Sequence, residues 1–136
     1  MTAPTVDAQP LIAAVAVAIK TTGVAYGEGV KPANVGTSPY VVAFFDSGTV
    51  SDRSLRSRDG FELYGTFHCS GQTPESARVA VRKLRAAVLG LHLTTVGGRV
   101  LMMPEQSVGV PIQRDDDADP PLFIAIDEWR FRTTPV

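Results

Sequence analysis

Cysteine occurs once in this chain, at Cys69, which excludes an intramolecular disulfide and any metal site built from several thiolates. Histidine is almost as scarce: His68 and His92 are the only two, and they fall in neither the HExxH nor the HxH spacing that puts two imidazoles on one ion. The glycine-rich stretch holds no GxGxxG and no GKS or GKT, so no phosphate cradle is expected. Cys69-Ser70-Gly71 lacks the leading glycine of a nucleophile elbow. No cofactor or metal is implied by any of these patterns. The longest apolar run, Leu11 to Ile19, is about half of the ~20 residues that cross a bilayer. Asp7, and no Lys or Arg, precedes it, unlike the positively charged start of a secretory signal, so the product is expected to be cytosolic when made. A net charge of -1 and a pI near 6.1 give no bulk electrostatic drive toward nucleic acid or anionic lipid.

What is present has a globular character. With 136 residues, 44% hydrophobic and 20% charged, the chain can bury one core and is expected to form a single domain, 1–136. Asp7, Pro10 and Gly23 bracket a first helix whose Leu11, Ile12, Val15 and Ile19 share a face. Glycines and prolines crowd residues 21–39, which predicts a long loop with little regular structure. Tyr40 to Phe45 reads as a strand, and residues 46–60 as a second long loop, locally basic through Arg53, Arg56 and Arg58. Residues 61–69 alternate, with Phe61, Leu63, Phe67 and Cys69 on the buried face and Glu62, Tyr64, Thr66 and His68 on the other. There Cys69 acts as a small hydrophobe.

Thr73 caps and Pro74 opens a second helix that ends at Gly90. Its Ala77, Ala80, Val81, Leu84 and Val88 form an apolar stripe, and Arg78, Arg82 and Arg85 a basic stripe expected on the opposite side. Gly97-Gly98 suits either a tight hairpin or a loop into a strand. Val108 to Arg114 is a short extended piece placed at an edge by Pro111. Pro120-Pro121 separates the acidic run Asp115, Asp116, Asp117 and Asp119 from a strand over Leu122 to Phe131. Asp127 interrupts the Phe123, Ala125, Trp129, Phe131 face of that strand, so it is either paired or relieved by a bulge or an interface. The sum is an α+β fold: a mainly antiparallel four- to five-stranded sheet packed on one side by two helices.

The acidic run lacks the alternation and the glutamate of a calcium loop, and a solvated turn explains it most simply. Water explains the arginine stripe equally simply, with DNA or a partner's carboxylates as the functional readings. Three segments together, SPYVV at 38–42, LYGTFHCSGQTPESARVAVRKLRAAVLG at 63–90 and RDDDADPPLFIAIDEWRFRTTP at 114–135, resemble the tail terminator proteins of long-tailed phages of the actinobacteriophage type. The likeness covers most of residues 38–135 and rests on order and spacing. It implies no catalysis: a ring of six copies caps the head-proximal end of the tail tube, stops its polymerisation and offers a surface for head joining. The implied partners are further copies of the chain, the tail tube protein, the head-tail connector, and DNA passing through the lumen without sequence readout. The implied location is the virion, after assembly in the host cytoplasm. On that reading, Arg53, Arg56, Arg58, Asp115, Asp116 and Asp117 are candidates for the assembly interface, and Arg78, Arg82 and Arg85 for the lumen or a partner. The alternatives are another head-tail connector or minor tail protein, a DNA-binding module on the helix arginines, and a small-molecule-binding or enzyme domain, for which no convergent polar set stands out.

Overall fold

The computed structural model describes residues 7–51, 60–118 and 120–135. In chain order its elements are α1 (Gln9–Thr21), β1 (Ala25–Glu28), β2 (Tyr40–Phe45), β3 (Thr49–Ser51), β4 (Gly60–Gly71), α2 (Pro74–Leu89), β5 (Thr95–Val96), β6 (Arg99–Leu101), β7 (Glu105–Asp115) and β8 (Leu122–Pro135). Two long strands form the spine, β4 and β8, antiparallel from Phe61 opposite Thr133 to Gly71 opposite Phe123. β2 and β3 pair with the free flank of β4. β7 and β6 follow one another along the free flank of β8.

The α+β architecture is as expected, but the sheet is larger and mixed. It has eight strands, and β1 runs parallel to β2, with Ala25 opposite Tyr40 and Glu28 opposite Ala43. The long loop with little regular structure expected over 21–39 therefore contains a four-residue strand. Gly23, at φ +88, does end α1 in the left-handed region, yet the next residues turn straight into an edge strand, and the Gly29 amide donates to the Ala43 carbonyl at 2.8 Å. Four residues are too few to display a period, and a parallel partner lies far along the chain. The loop over 46–60 likewise contains β3. Residues 52–59, with Arg53, Arg56 and Arg58, lie outside the described residues.

The alternation of β4 holds: Phe61, Leu63, Phe67 and Cys69 point into the core. They meet Trp129 and Phe131 of β8, Val41 and Ala43 of β2, Leu84 and Val88 of α2, and Val15 and Ile19 of α1. Fully burying one side chain of this size stabilises by about 1.5–3 kcal/mol, so this cluster is the main source of cohesion. Thr73 caps α2 by accepting from the Ser76 amide at 3.1 Å. A Cβ on Gly71 would stand 2.6 Å from the Ala77 amide nitrogen, so glycine is what lets α2 press onto the end of β4. Both helices lie on this one face. Gly97 and Gly98, at φ +57 and +76, close β5 onto β6, which resolves the hairpin alternative through the backbone conformation that two-residue hairpin turns demand.

β8 continues past Phe131 to Pro135. β7 is the expected edge piece, but it is longer, and it shifts register between Gln106 and Val108 and again between Val110 and Gln113. It packs almost wholly on β8 and is exposed along most of its length. The sheet face away from the helices presents Phe44, Tyr64, Thr66, His68, Ile126, Glu128, Arg130 and Arg132. Arg132 pairs there with Glu62 at 3.4 Å, and Arg130 with Glu105.

Candidate functional site

Between α2 and the β7 edge lies a groove of about 610 Å³. Its floor is apolar, from Val81, Val110, Pro111, Ile112 and Ala125, and its helical rim is basic, from Arg78, Arg82 and Arg85. Their position corrects the expectation that the three arginines stand opposite the core stripe. At about 100° per residue, they fall beside Val81 on its flank, and from there they overhang β7. The groove lies where β7, whose pairing with β8 shifts register around Pro111, leaves space beneath the helix.

At its inner end sits Asp127, 2% exposed. The burial that threatened this carboxylate is compensated by pairing. Arg85 donates from Nε to Oδ2 at 2.9 Å and from Nη2 to Oδ1 at 3.2 Å, and Gln106 Nε2 and Trp129 Nε1 donate at 3.3 and 3.4 Å. A two-pronged guanidinium on a carboxylate is the strongest of the ordinary ion-pair geometries. The hydrogen bonds it donates to Asp127 hold the Arg85 guanidinium above its usual range. Gly109 faces Asp127 across the ladder, and a Cβ there would lie 2.6 Å from Gln106 Nε2. A glycine in β7 thus gives the Gln106 amide its path to the carboxylate.

Arg78 and Arg82 have no ion pair or hydrogen bond to another described residue. Two of the three rim cations are therefore free to meet a partner. Cys69 lies behind Asp127, fully buried, and its thiol is pushed up to about 12, first by burial and then by the Asp127 charge. That environment suppresses thiolate and argues against a nucleophile. His68 stands against the Phe44 ring at 5.2 Å on the other sheet face, and burial lowers its pKa. Among the described residues no three His, Cys, Asp or Glu side chains come together to hold a metal ion. No described helix is long and apolar enough to cross a membrane.

The acidic run forms the tip between β7 and β8. Asp116 pairs with Arg114 at 2.6 Å, both well exposed, and Asp115 Oδ1 accepts from the Asp117 amide at 3.0 Å. Pro120 and Pro121 shoulder the tip beside Phe123. The structure thus places the two described groups of site candidates at different places on one edge: the arginines over the middle of β7, the aspartates at its end. Gln106, Gly109 and Trp129 were not anticipated as members of the site, since only the fold brings them to Asp127. The carboxylate in an apolar strand was the one signal, and it left a partner, a bulge and an interface open; the structure supplies the partner.

No family model matches the sequence, and no curated protein matches it. The fold is similar to that of a solved chain described as "Virion of native gene transfer agent (GTA) particle", with a TM-score of 0.63 and 19% identity, covering 93% of this chain and 96% of that one.

Proposed function

We propose that this chain is a structural virion protein without catalytic turnover, a tail-terminator-type subunit. In this reading six copies close a ring on the head-proximal end of a tail tube. The ring ends polymerisation of the tube, presents its far side to the head connector and lets DNA through its lumen. The observation that carries the reading is the nearly end-to-end similarity of fold to a chain of a virion particle. The resemblance of residues 38–135 to tail terminators narrows it from virion protein to terminator.

The chemistry of the molecule is consistent with assembly. The groove beside α2 has one buried carboxylate already committed to an arginine, whereas a catalytic pocket needs acids and bases whose lone pairs and protons remain available. β7 is exposed along most of an eleven-residue edge, and two rim cations beside it, Arg78 and Arg82, have no partner among the described residues. Such a subunit has surface left over for neighbours.

Deleting the gene from its parent phage and imaging the products tests the terminator role. Overlong tails without heads are expected. Tails of normal length beside unjoined heads would reassign the chain to the connector. Native mass spectrometry of the purified chain, with and without tail tube, should reveal a sixfold species on the tube.

A further inference from the structure

The groove and the acidic tip are complementary, and within one chain they cannot meet. β7 itself forms one wall of the groove through Gly109 to Ile112 and then runs on into the tip. At ~3.3 Å per residue, Asp116 stands about 13 Å beyond Ile112. The tip therefore points away from the recess beside its own origin.

Resting on the ring reading, we propose that the β7–β8 tip of one copy seats in the α2–β7 groove of the next. Asp116 and Asp117 lie against Arg78 and Arg82, and Pro120 and Pro121 lie over Val81, Pro111 and Ile112. Three observations carry the assignment. The rim holds two arginines without partners among the described residues, and the tip holds exposed carboxylates, of which Asp116 is paired with Arg114 of the same tip. Charge and apolar surface occur in the same order on both pieces: cations above an apolar floor, anions ahead of a proline shoulder. The recess, about 610 Å³, is within the range that accepts a few side chains of a ligand. Because tip and groove are different patches, their contact is head-to-tail, and it closes a ring where the rotation per copy allows. The desolvated pairs then select the neighbour as well as hold it.

Charge reversal tests the pairing. Neither Arg78 nor Arg82 touches Asp127, so Arg78→Glu with Arg82→Glu should fold normally, as should Asp116→Lys with Asp117→Lys at the exposed tip. Each double variant alone is expected to lose self-association, needing at least on the order of tenfold more protein to assemble. An equimolar mixture of the two should regain it, because every junction in an alternating ring is again complementary. A trap reads even weak association: chains carrying Arg82→Cys, mixed under oxidising conditions with chains carrying Asp117→Cys, should form a disulfide-linked dimer. It should form faster than with Thr95→Cys as the second chain, and slower in high salt. Rings that persist in both charge variants, or a trap no faster than the Thr95→Cys control, overturn the pairing and leave the ring reading standing. Arginine variants that lose affinity for duplex DNA but trap at the wild-type rate also overturn it, by giving the rim to phosphates. No self-association of the wild type, free or on tail tube, overturns both.

Discussion

Asp127 and Arg85 together decide whether the groove is a firm surface, and their exposures are unequal, 3% against 46% of the side chain. The inequality predicts an asymmetric response to mutation. Arg85→Ala leaves a buried carboxylate with only the Gln106 and Trp129 donors and should cost about 3 kcal/mol. Asp127→Asn leaves Arg85 free to turn into water and should cost about half of that, again as an order of magnitude. Urea unfolding of the two variants checks the ranking, and equal losses would show that the pair is not the anchor described. Cys69 yields a second prediction at this scale. Its thiol titrates near 12 in the fold against an ordinary 9.0, so above 9 the unfolded chain gives up its proton first. This contribution to stability is complete below pH 9 and is lost as pH rises toward 12. Thermal melts of wild type against Cys69→Ala should therefore diverge in slope only on the alkaline side.

At the scale of elements, what could be read from the chain were the pieces whose signal is local. Thr73-Pro74 opens α2 where the cap chemistry says it must, and Thr73→Ala is expected to lower stability by about 1 kcal/mol without changing the fold, measurable by denaturant midpoint. The alternation from Phe61 to Cys69, the Pro111 edge and the strand after Pro120-Pro121 were equally legible, whereas Gly97-Gly98 left a hairpin and a loop both open. β1 was not, because Ala-Tyr-Gly-Glu carries no period and its stabilisation comes from the backbone of β2. β3 is three residues long and fails for the same reason. The site was legible only as a conflict: Asp127 called for a partner, a bulge or an interface, and that Arg85 supplies the partner depends on how α2 sits over β8. The groove itself had no signature in the sequence, since it is the space left beneath a helix by a strand whose pairing shifts register.

At the scale of the whole molecule, β7 is a controlled liability. An eleven-residue exposed edge invites strand pairing with any other chain, and its two register shifts and Pro111 keep it from being a flat template. Deleting Ser107, which the strand register skips between Gln106 and Val108 and whose hydroxyl donates to Glu128, should straighten that stretch and promote open-ended association. Light scattering over time would check it, and unchanged scattering would mean that the bulge does not guard the edge.

The position of β8 in the middle of the sheet also bears on timing. Phe61 finds its neighbour at Thr133, and β6 and β7 find theirs within the same final strand. A nascent chain leaving the ribosome thus carries these strands as loose ends until residues 122–135 emerge, and sequence separations of this size make their closure slow. The recess above β7 does not exist on a half-made polypeptide. Groove and tip therefore come into being together, in the moment that β8 docks between β4 and β7.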